Sequence, residues 1–265
     1  MKTRYKGIKR VYIVLIFIFM YAPIALLIVQ SFNKSKSRGK WGGFTLQWYS
    51  SLFTDESIIE AFTTTLLLAL LSSAIAVVFG TLACICMSRM KKKARTVLMG
   101  VTNVPMLNAD IVTGVSFMLL FLTLRIQFGF GTILLAHITF NIPYVILSVM
   151  PRFRELNPHI YEAALDLGAS PVSAFFRTVL PEIMPGILSG WLMAFTMSID
   201  DFIITHFTAG AGVHTLSTKI YSEVKLGIKP EMYALSAMIF ITVLLLLILV
   251  NRVQDTAEKA RKEDV

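Results

Sequence analysis

Three carboxylates stand inside otherwise apolar stretches of this 265-residue chain: Asp110, Asp200 and Asp201. A charged side chain at the centre of a bilayer costs about 2.5–3.5 kcal/mol on insertion scales, so such groups usually face a cavity or a partner. The stretches that carry them, 97–124 and 184–204, contain no Lys or Arg that could neutralise them. The pattern therefore indicates a path or site for a cation, and a proton relay is the alternative chemistry.

Asp110 shares its predicted helix with other polar residues. Asn103, Asp110 and Thr113 are spaced i, i+7 and i+10, which places them on one helical face. Pro105, near the start of this run, is expected to bend the helix. We therefore predict that this polar face lines the path.

The second carboxylate group combines Ser198 with the adjacent Asp200 and Asp201. Adjacent residues of a helix point about 100° apart, so one carboxylate is expected to line the path while the other bonds to a neighbouring helix. The sequence does not distinguish the two. Lys219 and Lys225 are the internal candidates for a cationic partner, and a positively charged substrate is the other.

The composition requires a membrane around these residues. The chain is 55% hydrophobic and 15% charged, with a mean hydropathy of +0.70, and one soluble core cannot hide that much apolar surface. A helix of about 20 residues crosses the hydrocarbon layer. Six runs reach this length: 11–31, 61–87, 97–124, 130–150, 184–204 and 232–250. We predict an all-α integral membrane protein with six transmembrane helices, forming one transmembrane domain over residues 1–265.

The basic residues predict how these helices are oriented. With six spans both chain ends lie on the same side, and that side holds about twice as many Lys and Arg residues as the other. The positive-inside bias therefore places both termini in the cytoplasm. The run 11–31 follows five basic residues, as in a signal peptide, but no small-residue cleavage site follows it, so we expect a retained span. The basic residues are divided among short loops, which argues against nucleic-acid binding.

Several other kinds of chemistry lack support in the sequence. Cys84 and Cys86 lie in an apolar run and suit helix packing better than a disulfide or a metal site. The chain contains no Gly-x-x-x-x-Gly-Lys-Ser/Thr phosphate loop. We therefore expect no catalytic residue, no metal and no cofactor on this chain.

The segment from Tyr161 to Gly190 interrupts the apolar runs with charge, Gly and Pro at fixed places. Glu162-Ala163-Ala164 is expected to start a helix. Gly168 is expected to stop it, because glycine readily adopts the left-handed conformation found at helix C-termini.

A second helix is predicted to follow at once. Ser170 is a natural N-cap, and Pro171 is favoured at the first helical position. Pro181 and Pro185 are expected to close the segment. The pattern predicts two short helices, separated by a turn, at a membrane surface.

This segment resembles the EAA loop of permease subunits in bacterial ABC importers. The resemblance rests on Glu162-Ala163-Ala164, on Gly168 six residues after that Glu, and on Leu180-Pro181 twelve residues after that Gly. It implies a cytoplasmic two-helix coupling loop at about residues 151–183, between spans 4 and 5, that docks on a separate ATP-hydrolysing subunit. Coupling to the ATPase is expected to involve the residues of this pattern: Glu162, Ala163, Ala164, Gly168, Ser170 and Pro171.

The resemblance also implies partners. One six-span permease forms half of a pore, so a second homologous permease subunit, two ATPase subunits and an extracytoplasmic polyamine-binding protein are expected. ATP and Mg²⁺ are expected on the ATPase subunits rather than on this chain. The binding protein would deliver substrate to the loops 32–60 and 206–231, and the assembly would lie in the bacterial inner membrane.

A narrower resemblance concerns the cargo. Phe44–Tyr49, Ser198–Phe202 and Lys219–Ser222 look like the matching motifs in PotC-type permeases of spermidine/putrescine importers. The resemblance implies a polyamine path along five residues: Asp110, Asp200, Asp201, Trp48 and Ser198.

The same resemblance implies an outer gate formed by Tyr221 and Lys225. One residue departs from the pattern, since Ala109 stands where those permeases have Pro before the carboxylate. The charge of Asp110 is unaffected by this departure, but the local geometry of the path is left open.

A linear polyamine also suits the residues themselves, because separated amines can each meet a carboxylate while aromatic faces attract ammonium groups. Three alternatives stay open. The cargo could be another cation or ferric iron. The chain could be a proton-coupled secondary transporter that relays protons through Asp110 and Asp200. An intramembrane hydrolase using Ser189 or Ser198 with His206 is a weaker third, because the spacing around Ser189 does not fit a serine elbow.

Overall fold

The computed structural model describes residues 2–35, 40–226 and 229–263, and parts of the predicted outer loops, 36–39 and 227–228, lie outside this set. The described residues are largely helical, and the prediction of an all-α membrane protein is confirmed. The helices are α1 (Lys2–Ser31), α2 (Gln47–Leu52), α3 (Glu56–Ser88), α4 (Lys92–Leu107), α5 (Asp110–Thr123), α6 (Phe130–Glu155), α7 (Pro158–Asp166), α8 (Pro171–Ala174), a π-helical turn (Phe175–Val179), α9 (Leu180–Asp200), α10 (Ile203–Thr208), α11 (Leu216–Leu226) and α12 (Pro230–Glu263).

Four helical stretches of the described chain are long and apolar enough to cross a membrane: Lys9–Ser31, Glu56–Ser88, Phe130–Glu155 and Pro171–Asp200. The bent pair α4–α5 makes a fifth if it counts as one span. The apolar stretch Pro230–Leu245 in α12 is shorter, so the count of six spans stays a prediction. The most apolar part of Lys9–Ser31 has none of its residues buried within the chain, and lipid or another subunit must therefore cover it.

The third predicted span is divided into two helices. Asn108 and Ala109 have extended backbone, with ψ of 148° and 137°, and α4 and α5 meet at an angle of 100°. An acidic residue, Asp110, opens α5, where a carboxylate interacts favourably with the helix dipole. The break and this favourable start together divide a run that hydropathy alone presents as continuous.

The prediction that Asn103, Asp110 and Thr113 share one helical face is therefore wrong. Two residues of extended backbone separate Asn103 on α4 from the other two on α5, so the i, i+7 spacing no longer describes their directions. Pro105 does not cause the bend at its own position, because it lies inside α4 and the helix ends after it, at Leu107.

The helix that begins at Pro171 also differs from the prediction. It runs for 30 residues to Asp200 through α8, the π-helical turn and α9, so Pro181 and Pro185 do not close the segment. The wide π-turn at Phe175–Val179 directly precedes the first turn of α9, which contains Pro181. Proline lacks the amide hydrogen that an uninterrupted helical ladder would use, and the wide turn accommodates this missing donor. The backbone therefore continues as one helix.

The densest packing lies between α6 and α9, in the compact part of the chain formed by residues 60–218 and 246–265. Gly186 and Gly190 form a Gly-x-x-x-Gly pattern on α9, which permits close helix approach in membranes. A Cβ at Gly186 would stand 3.0 Å from the Ser148 carbonyl oxygen, and one at Gly190 would stand 3.2 Å from Val145 Cα. The absence of these Cβ atoms brings α9 onto the backbone of α6.

The two cysteines agree with the packing interpretation. Both are free, and Cys84 is buried while Cys86 is exposed. Cys84 belongs to a core cluster that joins α3, α6 and α9 and contains Ala76, Val145, Ile146, Val149 and Ala194 among its members.

Candidate functional site

The α9 helix ends in a break that separates the two adjacent carboxylates. Asp200 is the last residue of α9, Asp201 has extended backbone, and α10 begins at Ile203. The Asp201 carboxylate turns back over the first turn of α10 and accepts hydrogen bonds from the Ile204 N–H at 3.2 Å and the Thr205 N–H at 2.8 Å. It also accepts one from the Thr205 hydroxyl at 2.9 Å. Asp201 thus stabilises the break as a helix cap.

A buried histidine from α6 completes this arrangement. His137 Nε2 lies 3.4 Å from Asp201 Oδ2 and 3.0 Å from Thr205 Oγ1. His137 Nδ1 lies 3.1 Å from Ser198 Oγ, which also receives a hydrogen bond from the Asn141 amide at 2.8 Å. His137, Asn141, Ser198 and Thr205 are all fully or almost fully buried.

The other two predicted carboxylates, those of Asp110 and Asp200, do not belong to this buried network. Asp110 and Asp200 are exposed on the surface of this chain. They are close enough for their charges to interact, and the Asp110 charge also reaches the Tyr144 hydroxyl. Among the described residues, neither carboxylate receives a side-chain hydrogen bond or forms an ion pair. Asp110 and Asp200 thus lie at two helix breaks within range of each other's charge, whereas the Asp201 carboxylate is held by hydrogen bonds within the chain.

The helix dipoles act differently on these two exposed carboxylates. Asp110 lies at the N-terminus of α5, where the dipole favours a negative charge, and Asp200 lies at the C-terminus of α9, where it opposes one. Two like charges near one another also repel. The Asp200 side of the pair is consequently the one with the greater need for a cation.

Ser198 and Trp48, which we also predicted on the path, are buried in this structure. Ser198 lies inside the His137 network and is 3% exposed. Trp48 is 6% exposed, and its indole N–H donates to the Asn33 carbonyl at 2.7 Å. Trp48 therefore secures the loop that follows α1, and its role on the path stays a prediction.

The predicted gate residues belong to the compact part formed by residues 1–59 and 219–245. Lys225 Nζ stands 4.7 Å from the centre of the Tyr221 ring, a cation–π contact. Lys219, a candidate partner for the carboxylates, instead pairs with the buried Glu223 at 3.4 Å. Lys229 approaches the same carboxylate at 3.2 Å. The gate role of Tyr221 and Lys225 stays a prediction.

The sequence reasoning missed His137, Asn141 and Thr205. A weak signal was available, because His137 and Asn141 are spaced i, i+4 in the apolar run 130–150 and Thr205 follows Asp201 by four residues. Polar groups at such spacing lie on one helical face. Nothing in the sequence, however, indicated that these two faces meet.

The predicted coupling segment has the expected stop and restart. Gly168 has φ of +86°, and its N–H bonds to the Leu165 carbonyl at 2.9 Å while the Ala169 N–H bonds to the Ala164 carbonyl at 3.1 Å. This pair of bonds is a Schellman motif. The Ser170 hydroxyl then accepts from the Ser173 N–H at 3.3 Å as an N-cap. Both local predictions are confirmed.

The helix before this turn starts earlier than predicted. It begins at Pro158, with the Asn157 side chain accepting from the His159 N–H at 3.1 Å, so Glu162 lies inside α7 rather than at its start. Glu162 is 3.2 Å from His159 Nδ1, and both side chains are exposed. Leu167, which ends this helix, is 90% exposed.

A cavity separates α7 from the ends of α3 and α6. It has a volume of about 750 Å³ and is lined by Arg89, Phe153, Tyr161, Glu162 and Phe175 among others. The Arg89 guanidinium lies 5.9 Å from the centre of the Tyr161 ring. This cation–π contact connects α7 to the end of α3 across the cavity mouth.

The fold and these two features correspond to a known class of membrane protein. Residues 76–263 match the family described as the binding-protein-dependent transport system inner membrane component, and the chain belongs to this family. It is thus a permease of the ABC-importer class.

The relatives within this family are named as polyamine permeases. The spermidine/putrescine transport system permease protein PotC of Escherichia coli (strain K12) is 36% identical over 94% of this chain and 95% of its own length. The putrescine transport system permease protein PotI of the same strain is 37% identical over 94% of this chain and 91% of its own length.

Solved structures show the same fold at lower identity. A permease chain of a bacterial alginate ABC transporter, in complex with a periplasmic protein bound to an alginate pentasaccharide, superposes with a TM-score of 0.69. It is 17% identical and covers 94% of this chain and 92% of that chain. A chain from an amino acid ABC transporter gives a TM-score of 0.59 at 18% identity, covering 80% of this chain and all of that chain.

Proposed function

We propose that this chain is the permease subunit of an ATP-driven importer that passes linear polyamines across the inner membrane. The observation that carries the proposal is that Asp110 and Asp200 lie at two helix breaks, exposed and without an ion pair or a side-chain hydrogen bond in the described chain. Broken helices at membrane depth are tolerated where they line a cavity. The two ammonium groups of a linear amine, one at each carboxylate, would offset the mutual repulsion of the carboxylates.

The relatives support this choice of cargo. The E. coli proteins that share about a third of this sequence are named for spermidine and putrescine transport. Linear polyamines carry their positive charges at separated amines, which suits two carboxylates on two different helices. Asp201, whose carboxylate is already fully used by His137, Thr205 and the start of α10, is not assigned to the path.

The assembly follows from the family and from the coupling segment. The exposed α7 helix, closed by the turn at Gly168, would dock on one of two ATPase subunits, which bind ATP and Mg²⁺. A second, homologous permease would complete the pore and cover the exposed surfaces of α1 and α5. An extracytoplasmic binding protein would deliver the polyamine. The positive-inside bias supports a cytoplasmic location for both termini and for α7.

Alternating access would then depend on two discrete packings of the permease pair, each favoured by a different nucleotide state of the ATPase. The polyamine must also leave, so the path cannot bind it tightly in every state. Two carboxylates suffice for this task, and a third would slow release.

The test uses the whole importer, reconstituted in proteoliposomes with labelled putrescine. Asp110→Asn and Asp200→Asn are each expected to lower ATP-dependent uptake about thirtyfold or more, because losing one member of a charge pair that is desolvated in the path costs roughly 2–5 kcal/mol. Thr139→Val, whose exposed hydroxyl bonds within α6 to the Leu135 carbonyl, is the control and should keep wild-type uptake. Full uptake by both Asp variants would refute the cationic path.

The same vesicles distinguish the competing functions. Uptake that follows a proton gradient in the absence of ATP would favour the secondary transporter. Uptake that excess ferric iron or another cation blocks, while spermidine does not, would reassign the cargo and leave the ABC class unchanged.

A further inference from the structure

The hydrogen bonds of the buried polar network around His137 run in one direction, from donor to acceptor, towards Asp201. The Thr205 hydroxyl donates to Asp201 at 2.9 Å, so its oxygen is available to accept from His137 Nε2–H at 3.0 Å. Protonation at Nε2 leaves Nδ1 of a neutral imidazole as an acceptor for the Ser198 hydroxyl at 3.1 Å. A neutral His137 protonated at Nε2 therefore satisfies the contacts of both ring nitrogens.

The far end of the network fits the same direction. Ser198 Oγ accepts from the Asn141 amide at 2.8 Å and lies 3.0 Å from the Ser72 hydroxyl. With one hydrogen donated to His137 and one accepted from Asn141, Ser198 uses both roles of its hydroxyl. Three elements, α6, α9 and α10, therefore contribute to one chain of hydrogen bonds that ends on the Asp201 carboxylate.

We propose that His137 is a positioning residue that, together with Thr205, holds Asp201 out of the substrate path and leaves only Asp110 and Asp200 to meet the amine. This inference rests on the proposed function. The geometry behind it is the break at Asp201, whose extended backbone directs its side chain to α10 rather than along α9. Its carboxylate adjoins Asp200 in the sequence, and the side chains of His137 and Thr205 hold it together with the backbone N–H groups of Ile204 and Thr205.

The consequence concerns substrate charge. Without His137 and Thr205, Asp201 becomes a third carboxylate beside the path. A triamine would then be held by one more charge pair than the intact path offers, whereas a diamine has no further ammonium group to occupy it. Release of spermidine is therefore expected to slow more than release of putrescine.

The experiment compares the two amines in the reconstituted importer, with rates expressed per assembled complex. His137→Leu should lower the maximal rate for spermidine about tenfold, which corresponds to one additional charge-assisted interaction, and should affect putrescine much less. His137→Gln, whose amide can still donate to Thr205, should keep the wild-type ratio of the two rates. Thr139→Val is the control on the same helix, since the Thr139 hydroxyl bonds within α6 to the Leu135 carbonyl and the side chain is exposed.

The decisive variant removes the charge that His137 holds. Adding Asp201→Asn to His137→Leu should restore the spermidine rate to that of Asp201→Asn alone. A packing role for His137 predicts the opposite: equal losses for both amines, or fewer assembled complexes, without rescue by Asp201→Asn. If His137→Leu does not assemble, Thr205→Val removes the linking hydroxyl and should shift the same ratio, and an unchanged ratio would overturn the inference.

These outcomes are separable from failure of the proposed function. If the wild-type importer transports neither amine, or if Asp200→Asn has no effect on uptake, the function itself is wrong. If the wild type transports both amines and Asp200→Asn impairs them while the His137 series leaves their ratio unchanged, the inference about His137 alone is wrong.

Discussion

The turn at Gly168 allows the coupling hypothesis to be tested with a calculated cost. Its φ of +86° lies in the left-handed region, and no atom lies within 4 Å of the position a Cβ would occupy. A substitution therefore meets no steric contact, and its cost is that of the backbone conformation alone, about 1–2 kcal/mol for an ordinary L-residue. That range corresponds to roughly a 5–30-fold change in the population of the turn.

A graded series of variants follows from this cost. Gly168→Asn should retain most activity because Asn tolerates the left-handed region, Gly168→Ala should lose about tenfold, and the β-branched Gly168→Val should lose more. Gly100→Ala is the matched control, since Gly100 lies within α4 with open space around it and without a positive φ. It should change nothing.

The assay is ATP hydrolysis by the reconstituted importer, measured with and without polyamine-loaded binding protein, together with the amount of ATPase that co-purifies. The expected order of stimulated hydrolysis is Gly, Asn, Ala, Val at position 168. Equal activity of the Val variant and the wild type would refute the requirement for the turn. Equal loss in the Asn and Ala variants would show that docking requires the absence of a side chain at position 168, rather than the left-handed backbone conformation.

Further predictions concern the packing of α9 on α6 and the loop that precedes α3. Gly186→Val should prevent accumulation of the folded chain, because its Cβ would stand 2.8 Å from Arg152 Cγ and 3.0 Å from the Ser148 carbonyl oxygen. Overpacking of this kind costs roughly 1–3 kcal/mol. Leu188→Val is the control at an exposed position of the same helix and should accumulate normally in membrane extracts. Hydrogen bonds from Ser57 hold the pKa of Asp55 below its ordinary value of 3.8. The ionised Asp55 carboxylate therefore stabilises the fold at pH values above its ordinary pKa, and this stabilisation is lost as the pH falls through the lowered pKa of the folded state. The melting temperature of the purified chain should fall further in strong acid for the wild type than for Asp55→Asn.

Much of the fold could be predicted from the sequence because hydropathy and turn residues act locally. The Gly168 turn and the Ser170 cap depend on residues within a few positions of each other, and the long apolar helices depend on uninterrupted runs. The breaks between and within these helices were harder to predict. Hydropathy continues through Asn108 and Ala109, and Pro181 resembles a stop signal although the π-turn before it allows the helix to continue.

The candidate site was less predictable from the sequence than the fold. The sequence identified all three carboxylates by their cost in a membrane, but it could not assign different roles to Asp200 and Asp201. That assignment depends on His137, which is distant in the chain and reaches Asp201 only because α6 packs on α9 through two glycines. Periodicity within one helix contains no information about such a meeting.

The continuous helix from Pro171 to Asp200 behaves mechanically as a lever. Thirty residues at 1.5 Å per residue give a rod about 45 Å long, with the exposed turn at Gly168 next to one end and the Asp200 carboxylate at the other. A tilt of about 5° around the Pro171 end would displace Asp200 by about 4 Å, more than the length of a hydrogen bond. Closure of the ATPase subunits could thus move one carboxylate of the pair away from Asp110 without any intermediate hinge, and the cation would lose half of its site in a single motion.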